Sequence, residues 1–237
     1  MSGVTNKDIV AGLRDILASR GIISDHSDWS ERLILFYATK ARSAILKAKL
    51  DDKRSKVSHF NKQTLSCVPL KTLDINECPC APPSGCTFVR SEFPIPMPIS
   101  RYLEIDTILG NRDIDYVEWG DFRNKLRSRM ALDREGPYWT IRNLGDGHYL
   151  YLYNFSQKFA TVTSIFEDTI EVFLYPDCSG EVKNKCAQYL DFPFVIDDGY
   201  VSFVLEAAYR MLALKTPNTD ELINQNDDTA AAKIPIK

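Results

Sequence analysis

Residues 143–155, NLGDGHYLYLYNF, decide how the rest of the chain is to be read. A Gly-Asp-Gly turn at 145–147 opens onto a strictly alternating run, and alternation marks a strand because successive side chains leave opposite faces. Leu150 and Leu152 point one way, and Tyr149, Tyr151 and Tyr153 point the other. Tyrosine offers a wide contact area with a polar end, so the second row could be a partner-binding face. It could equally be the other, half-buried face of a sheet covered by a helix, and the pattern leaves both open.

Working outward, FATVTSIF (159–166) and TIEVFLYP (169–176) read as two more strands, joined through the acidic Glu167–Asp168–Thr169. Upstream, QTLSCVPLKTL (63–73), CTFVRSEFPI (86–95) and RYLEIDTIL (101–109) are short, β-branched or aromatic, and broken by Pro and Gly. Pro94, Pro96 and Pro98 alternate in FPIPMPIS, which excludes a central strand there and predicts a connector or an edge segment. DYVEWGDFRNKLRSRM (115–130) predicts one short helix, with Phe122, Leu126 and Met130 at successive i+4 steps.

Both ends of the chain read as helical. NKDIVAGLRDILASRG (6–21) carries Ile9, Leu13, Ile16 and Leu17 at helical spacing, with Asn6 as the expected cap and Gly21 as the stop. SDWSERLILFYATKARSAILKAKLDD (27–52) follows, with Asp28 and Glu31 in a capping-box arrangement. Its expected buried stripe is Trp29, Leu33, Phe36, Tyr37, Ala41, Ala44, Ile45 and Ala48. From Glu31 to Lys56 stand eight basic residues (Arg32, Lys40, Arg42, Lys47, Lys49, Lys53, Arg54, Lys56) against Glu31, Asp51 and Asp52. A solvated face explains them better than a DNA-binding one. In DGYVSFVLEAAYRMLAL (198–214), Val201, Val204, Leu205, Ala208, Met211 and Leu212 share a face, and Pro217 comes after as the stop. The last stretch, NTDELINQNDDTAAAKIPIK, is polar and cannot bury much surface alone. It is expected to stay extended until it meets a partner, with Leu222, Ile223, Ile234 and Ile236 as its contact candidates beside the tyrosine row.

The fold class expected is α+β: N-terminal helices (1–58), a central antiparallel β region, sandwich- or barrel-like (59–190), a C-terminal helix packed on the N-terminal ones (191–216), and an extended tail (217–237). A 44% hydrophobic fraction is enough to bury a real core, and no apolar run approaches the roughly 20 residues of a membrane span. The formal net charge of −3 gives no general affinity for nucleic acid. The opening MSGVTNKDIVAGLRDIL lacks the features of a secretory signal, which predicts folding in a reducing cytoplasm with thiols rather than disulfides.

Catalytic patterns are missing. His26, His59 and His148 lie in no arrangement with partners, and GxSxG, Walker A and GxGxxG motifs do not occur. Asp197 and Asp198 sit where a helix start welcomes negative charge, so capping explains them more cheaply than acid–base chemistry. The cysteines need more thought. ECPCAPPSGC (77–86) holds Cys78, Cys80 and Cys86, with Cys67 upstream as a fourth thiol, and four clustered thiols suggest structural zinc. A zinc-stabilised binding module, using this loop and the basic second helix for nucleic acid, is the alternative reading. The Cys-x-Cys step and the intervening Pro79 fit a zinc knuckle poorly, so a compact loop of thiols with no cofactor is the expectation.

Three stretches, QTLSCVPLKTLDINECPC with GCTFVRSEFPIPMPI, HYLYLYNFSQKFATVTSIFEDTIEVF, and FPFVIDDGYVSFVLEAAYRMLALKTPNTDELINQNDD, together resemble the head-to-tail connector (ring or adaptor) proteins of tailed phages, closest to those of crAss-like phages. The resemblance runs from about Asp28 to Asp228, with Thr169 where the family pattern often has Pro. It implies a non-enzymatic virion protein without a cofactor, made in the host cytoplasm and built into a ring of twelve copies beneath the portal. Its partners would be further copies of itself, the portal protein and the next ring or tail protein. Genomic DNA would pass through without specific binding.

Overall fold

Gln63–Thr72, strand β1, is shared by two ladders, and the sheet is organised around it. Its first part pairs antiparallel with β7 (Phe159–Phe166), placing Gln63 opposite Ser164 and Pro69 opposite Phe159. Its last three residues pair instead with β2 (Phe88–Ser91), Leu70 opposite Ser91 and Thr72 opposite Val89. The register shifts between Leu65 and Val68, and Pro69 stands where one ladder gives way to the other. A proline inside a central strand is tolerated at such an irregularity, and a bulge bends the strand and steepens its twist. The computed structural model describes residues 3–20, 29–52, 58–73, 88–106, 114–121, 137–181 and 188–214.

The remaining strands are β3 (Pro98–Asp106), β4 (Asp115–Tyr116), β5 (Tyr138–Asn143) and β6 (His148–Tyr153), and the order across the sheet is β3-β7-β1-β2-β6-β5-β4. The sheet curls into a half-barrel and is mixed, because β4 runs parallel to β5 while the other pairs are antiparallel. The proline-rich strip leads into β3 at one edge, as the missing donors require. DYVEWGD begins with β4 and a 3-10 turn (Trp119–Asp121) rather than helix. The residues Phe122, Leu126 and Met130 of the expected helix lie outside the described region.

Strand β6 divides the sheet's two faces as its alternation requires. Leu150 and Leu152 enter the enclosed core with Leu65, Val68, Ala160 and Val162, and Tyr149 and Tyr151 enter a second cluster with Phe88, Val117 and Tyr138. The turn before β6 passes close to the proline strip. A Cβ on Gly147 would lie 2.5 Å from the Cβ of Pro94, and Ile95 N–H donates to the His148 carbonyl at 2.7 Å.

Helices α1 (Asn6–Ser19), α2 (Glu31–Asp51) and α4 (Val201–Ala213) form a layer beside the sheet, with a short α3 (Thr169–Phe173) between. Ile9, Leu13, Ile34, Ala38, Val204 and Ala208 share one core, so the C-terminal helix closes on the N-terminal pair. Capping differs from expectation at both N-terminal helices. Thr5, not Asn6, caps α1 in a capping box with Asp8, while Asn6 is buried and donates from Nδ2 to the Tyr189 carbonyl at 2.7 Å. Ser30, not Asp28, caps α2.

Two sequence expectations fail in this layer, for related reasons. The buried stripe of α2 is Ile34, Leu35, Ala38, Ala41, Arg42 and Leu46; of the expected stripe Ala41 is buried and Trp29 and Ile45 pack partly buried against the core, whereas Leu33, Phe36, Ala44 and Ala48 face solvent. Helical spacing alone admits either apolar arc, and the position of α4 and the sheet selects between them. The expected strand at 169–176 begins as helix α3, because the Asp168 carboxylate accepts from Ile170 N–H at 2.8 Å and Ile170 packs into the helical core. Local β preference yields to capping and tertiary burial there.

Arg42 departs furthest from expectation. Read as part of a solvated basic face, it is 0% exposed. Its Nε donates to the Val195 carbonyl at 2.6 Å and its Nη1 to the Phe166 carbonyl at 2.8 Å. Burial pulls its pKa down to about 10, opposed by the nearby Asp168 carboxylate, so it remains charged at neutral pH. It joins the end of β7 to the segment that leads into α4. Arg42→Met is expected to lower the unfolding free energy by about 3 kcal/mol, by removing two charge-assisted bonds and orphaning two carbonyls. Urea titration monitored by tryptophan fluorescence reads this directly, with Arg32→Met on the exposed face changing it by less than about 0.5 kcal/mol.

Candidate assembly surfaces

The exposed arc of α2 forms one wall of a groove whose other wall is α3 and the 3-10 turn Tyr189–Asp191. The groove exists because α3 is a helix: its cap at Asp168 turns the chain away from β7 immediately after Phe166. Leu35, Ile170 and Phe192 lie at the base and Phe36, Met97 and Leu174 at the rim, around a volume of about 830 Å³. Phe36 is 51% exposed and joins the exposed Met97 and Leu174 in one apolar rim, the grouped exposure that marks a contact surface. A second cleft of about 590 Å³ adjoins it, sharing Met97, Glu171 and Leu174 and running along Pro94–Pro96 to His148.

Glu31, Glu167, Asp168 and Glu171 line the groove with Arg32 and Lys40, while Arg14 pairs with Glu31 at 3.2 Å and the buried Arg42 lies near Asp168. Lys40 approaches Glu167 at 3.6 Å, an exposed and therefore weak pair. Glu171 is held above the usual carboxylate range, first by burial and then by Asp168 and Glu167 beside it.

A second apolar patch lies toward the other end of α2. Phe203 is 62% exposed, its ring 6.5 Å from that of Tyr200, and Phe60 is also exposed. Asn61 accepts from Asp197 N–H at 2.9 Å, which ties the turn carrying Phe60 to the start of α4. Asp197 itself accepts from Gly199 N–H at 3.1 Å, the capping role expected of it. Lys49 stands 5.7 Å over the Tyr200 ring, and 13 residues of helix, about 20 Å, separate it from Phe36.

Of the expected contact residues, Tyr149 and Tyr151 are buried and Tyr153 is partly exposed. Trp119 meets Tyr151 at 5.0 Å, and Arg142 and Arg90 cover the cluster, 4.0 Å above Trp119 and 4.8 Å above Tyr149. The cover comes from a turn and arginines rather than from a helix among the described residues. Leu222, Ile223, Ile234 and Ile236 lie outside the described region. Sequence reasoning misses the groove because its main signal, Phe36, reads as core. The charge excess over residues 167–171 is the clue available in the sequence.

The cysteines correct a further expectation. Cys67 forms a disulfide with Cys178, their Cα atoms 5.4 Å apart. The bulge in β1 brings Cys67 to the turn after α3, where Asp177 Oδ1 accepts from Ser179 N–H at 2.9 Å and Gly180 adopts φ +80°. The partners are 111 residues apart in sequence, beyond any spacing rule. Cys67 is thereby withdrawn from the four-thiol set with Cys78, Cys80 and Cys86, which lie outside the described region. Among the described residues, no group of His, Cys, Asp and Glu is arranged to hold a metal ion. Reductant is expected to lower the unfolding free energy of the oxidised chain by about 2–4 kcal/mol and to leave Cys178→Ser unchanged. Denaturation with and without dithiothreitol measures both.

No curated protein matches the chain. A family model described as phage tail ring protein 2 matches residues 13–229, which takes in all of α2, the seven strands and α4. That family is structural rather than enzymatic, and its members are virion components. With the match covering most of its length, the chain belongs to the crAss-like phage tail ring proteins.

Proposed function

We propose that the chain closes into a ring of twelve copies at the head–tail junction, docked beneath the portal. There it extends the DNA channel and offers the next tail component a platform. The observation that carries this reading is the pair of unlike apolar surfaces about 20 Å apart along α2. A cyclic ring of one chain needs a heterologous contact, in which two different faces of every copy meet. The Phe36 groove and the Phe203 patch are two such faces. The tyrosine cluster contributes through Tyr153 at its rim, with Tyr149 and Tyr151 supporting it from below. A net charge of −3 suits a channel through which DNA slides without being held.

Cryo-electron microscopy of the intact particle is expected to place twelve copies under the portal. A different symmetry would correct the copy number, and a location away from the portal would overturn the junction reading. The tail is part of the same reading: residues 216–237 order against a neighbouring copy or the portal. A chain lacking residues 217–237 is expected to fold normally and to fail in ring assembly or portal binding, as read by light scattering and pull-down. Unchanged assembly and binding would remove the tail from the mechanism.

A further inference from the structure

Resting on the ring reading, we propose that the α2–α3 groove of each copy is filled by residues 229–237, TAAAKIPIK, of the neighbouring copy. The groove requires an occupant with apolar groups for Phe36, Met97 and Leu174, and with positive charge for Glu171. Glu31 is engaged by Arg14 at 3.2 Å, Glu167 by Lys40 at 3.6 Å, and Asp168 by the Ile170 N–H and the field of Arg42, which leaves Glu171 as the carboxylate to be answered. A cation brought to Glu171 would meet a carboxylate that burial and its acidic neighbours already disfavour in the charged form.

The tail has this chemistry in the right order. Its acidic residues, Asp220, Glu221, Asp227 and Asp228, all precede residue 229. Residues 229–237 hold no acid, and they set Ile234 and Ile236 between Lys233 and Lys237. Two isoleucines with a proline between them bury area at a lower cost in chain entropy than a flexible segment would. The adjoining cleft along Pro94–Pro96 adds apolar surface next to the groove for a short segment of this kind.

Reach permits a neighbour. Helix α4 ends at Ala213, and Leu214 after it is 86% exposed. Ile234 lies 20 residues beyond Leu214, a length that spans up to about 70 Å when extended. An arm leaving every copy and a groove on every copy supply the two unlike faces that a closed ring needs. The arm would then lock each interface from outside the contact between folded bodies.

The test uses the full-length chain with benzoylphenylalanine in place of Phe36, in rings isolated from particles. Irradiation is expected to give a ladder of covalent multimers, with residues 229–237 in the cross-linked peptide. The double change Ile234→Asp and Ile236→Asp, made outside the folded body, is expected to lower the ladder about tenfold. Lys233→Glu with Lys237→Glu is expected to lower it further at low salt than at high salt. Cross-links confined to single chains would show the tail in its own groove and overturn the proposal. Cross-links to another virion protein would assign the groove to that protein, with the same consequence. Intact rings without a ladder would reject the docking and leave the ring reading standing, whereas particles with no ring of this chain would reject both.

Discussion

A charged guanidinium sealed from water holds the two halves of this protein together. Arg42 reaches from the buried side of α2 to the carbonyl that ends β7 and to the carbonyl of Val195, ahead of α4. Taking such a charge out of water is expensive, and the expense is tolerable only where fixed acceptors replace the lost hydration. The two carbonyls do so for Nε and Nη1, and Asp168 nearby adds a favourable field, while Nη2 is buried with no acceptor among the described residues. Ser43, the next residue, donates to the Glu167 carbonyl at 3.1 Å, so successive positions of α2 grip the chain where it leaves the sheet. The placement of α3, and with it the α2–α3 groove, depends on that grip.

The sheet has a comparable point of decision in β1. A single strand that pairs with β7 along one part and with β2 along the next must bend, and the Leu65–Val68 irregularity with Pro69 provides the bend. The same bulge presents Cys67 to Cys178, so the curl of the sheet and the tether on the loop after α3 share one origin. The helical layer, the half-barrel and the disulfide therefore converge on residues 166–178, beside the groove that we assign to assembly.

Legibility varies with how local the deciding physics is. The β6 alternation is readable to the residue, because the leucine and tyrosine rows need only a period of two to separate. The face of α4 is equally plain, with Val204, Ala208 and Leu212 buried four residues apart. Helix α2 is legible as a helix but not in its rotation, since its apolar residues cover more than one arc and only contact with α4 and β7 selects one. TIEVFLYP has strand-like composition, yet an aspartate at its start and a core waiting for Ile170 make it helical. Ring membership is legible as a resemblance across dispersed segments, not as a motif, because a structural ring has no reacting atoms to constrain particular side chains.

The sequence by itself determined the α+β class, the strand faces, the proline-bearing edge and the absence of catalytic motifs, each of which rests on periodicity or local backbone chemistry. Tertiary structure alone decided that Arg42 is buried, that Phe36 is exposed, that Cys67 meets Cys178 and that residues 169–173 are helical. All four depend on which surfaces meet across long sequence separations. Burial, not residue type, sets whether a charge is solvated or structural and whether an aromatic ring is core or contact.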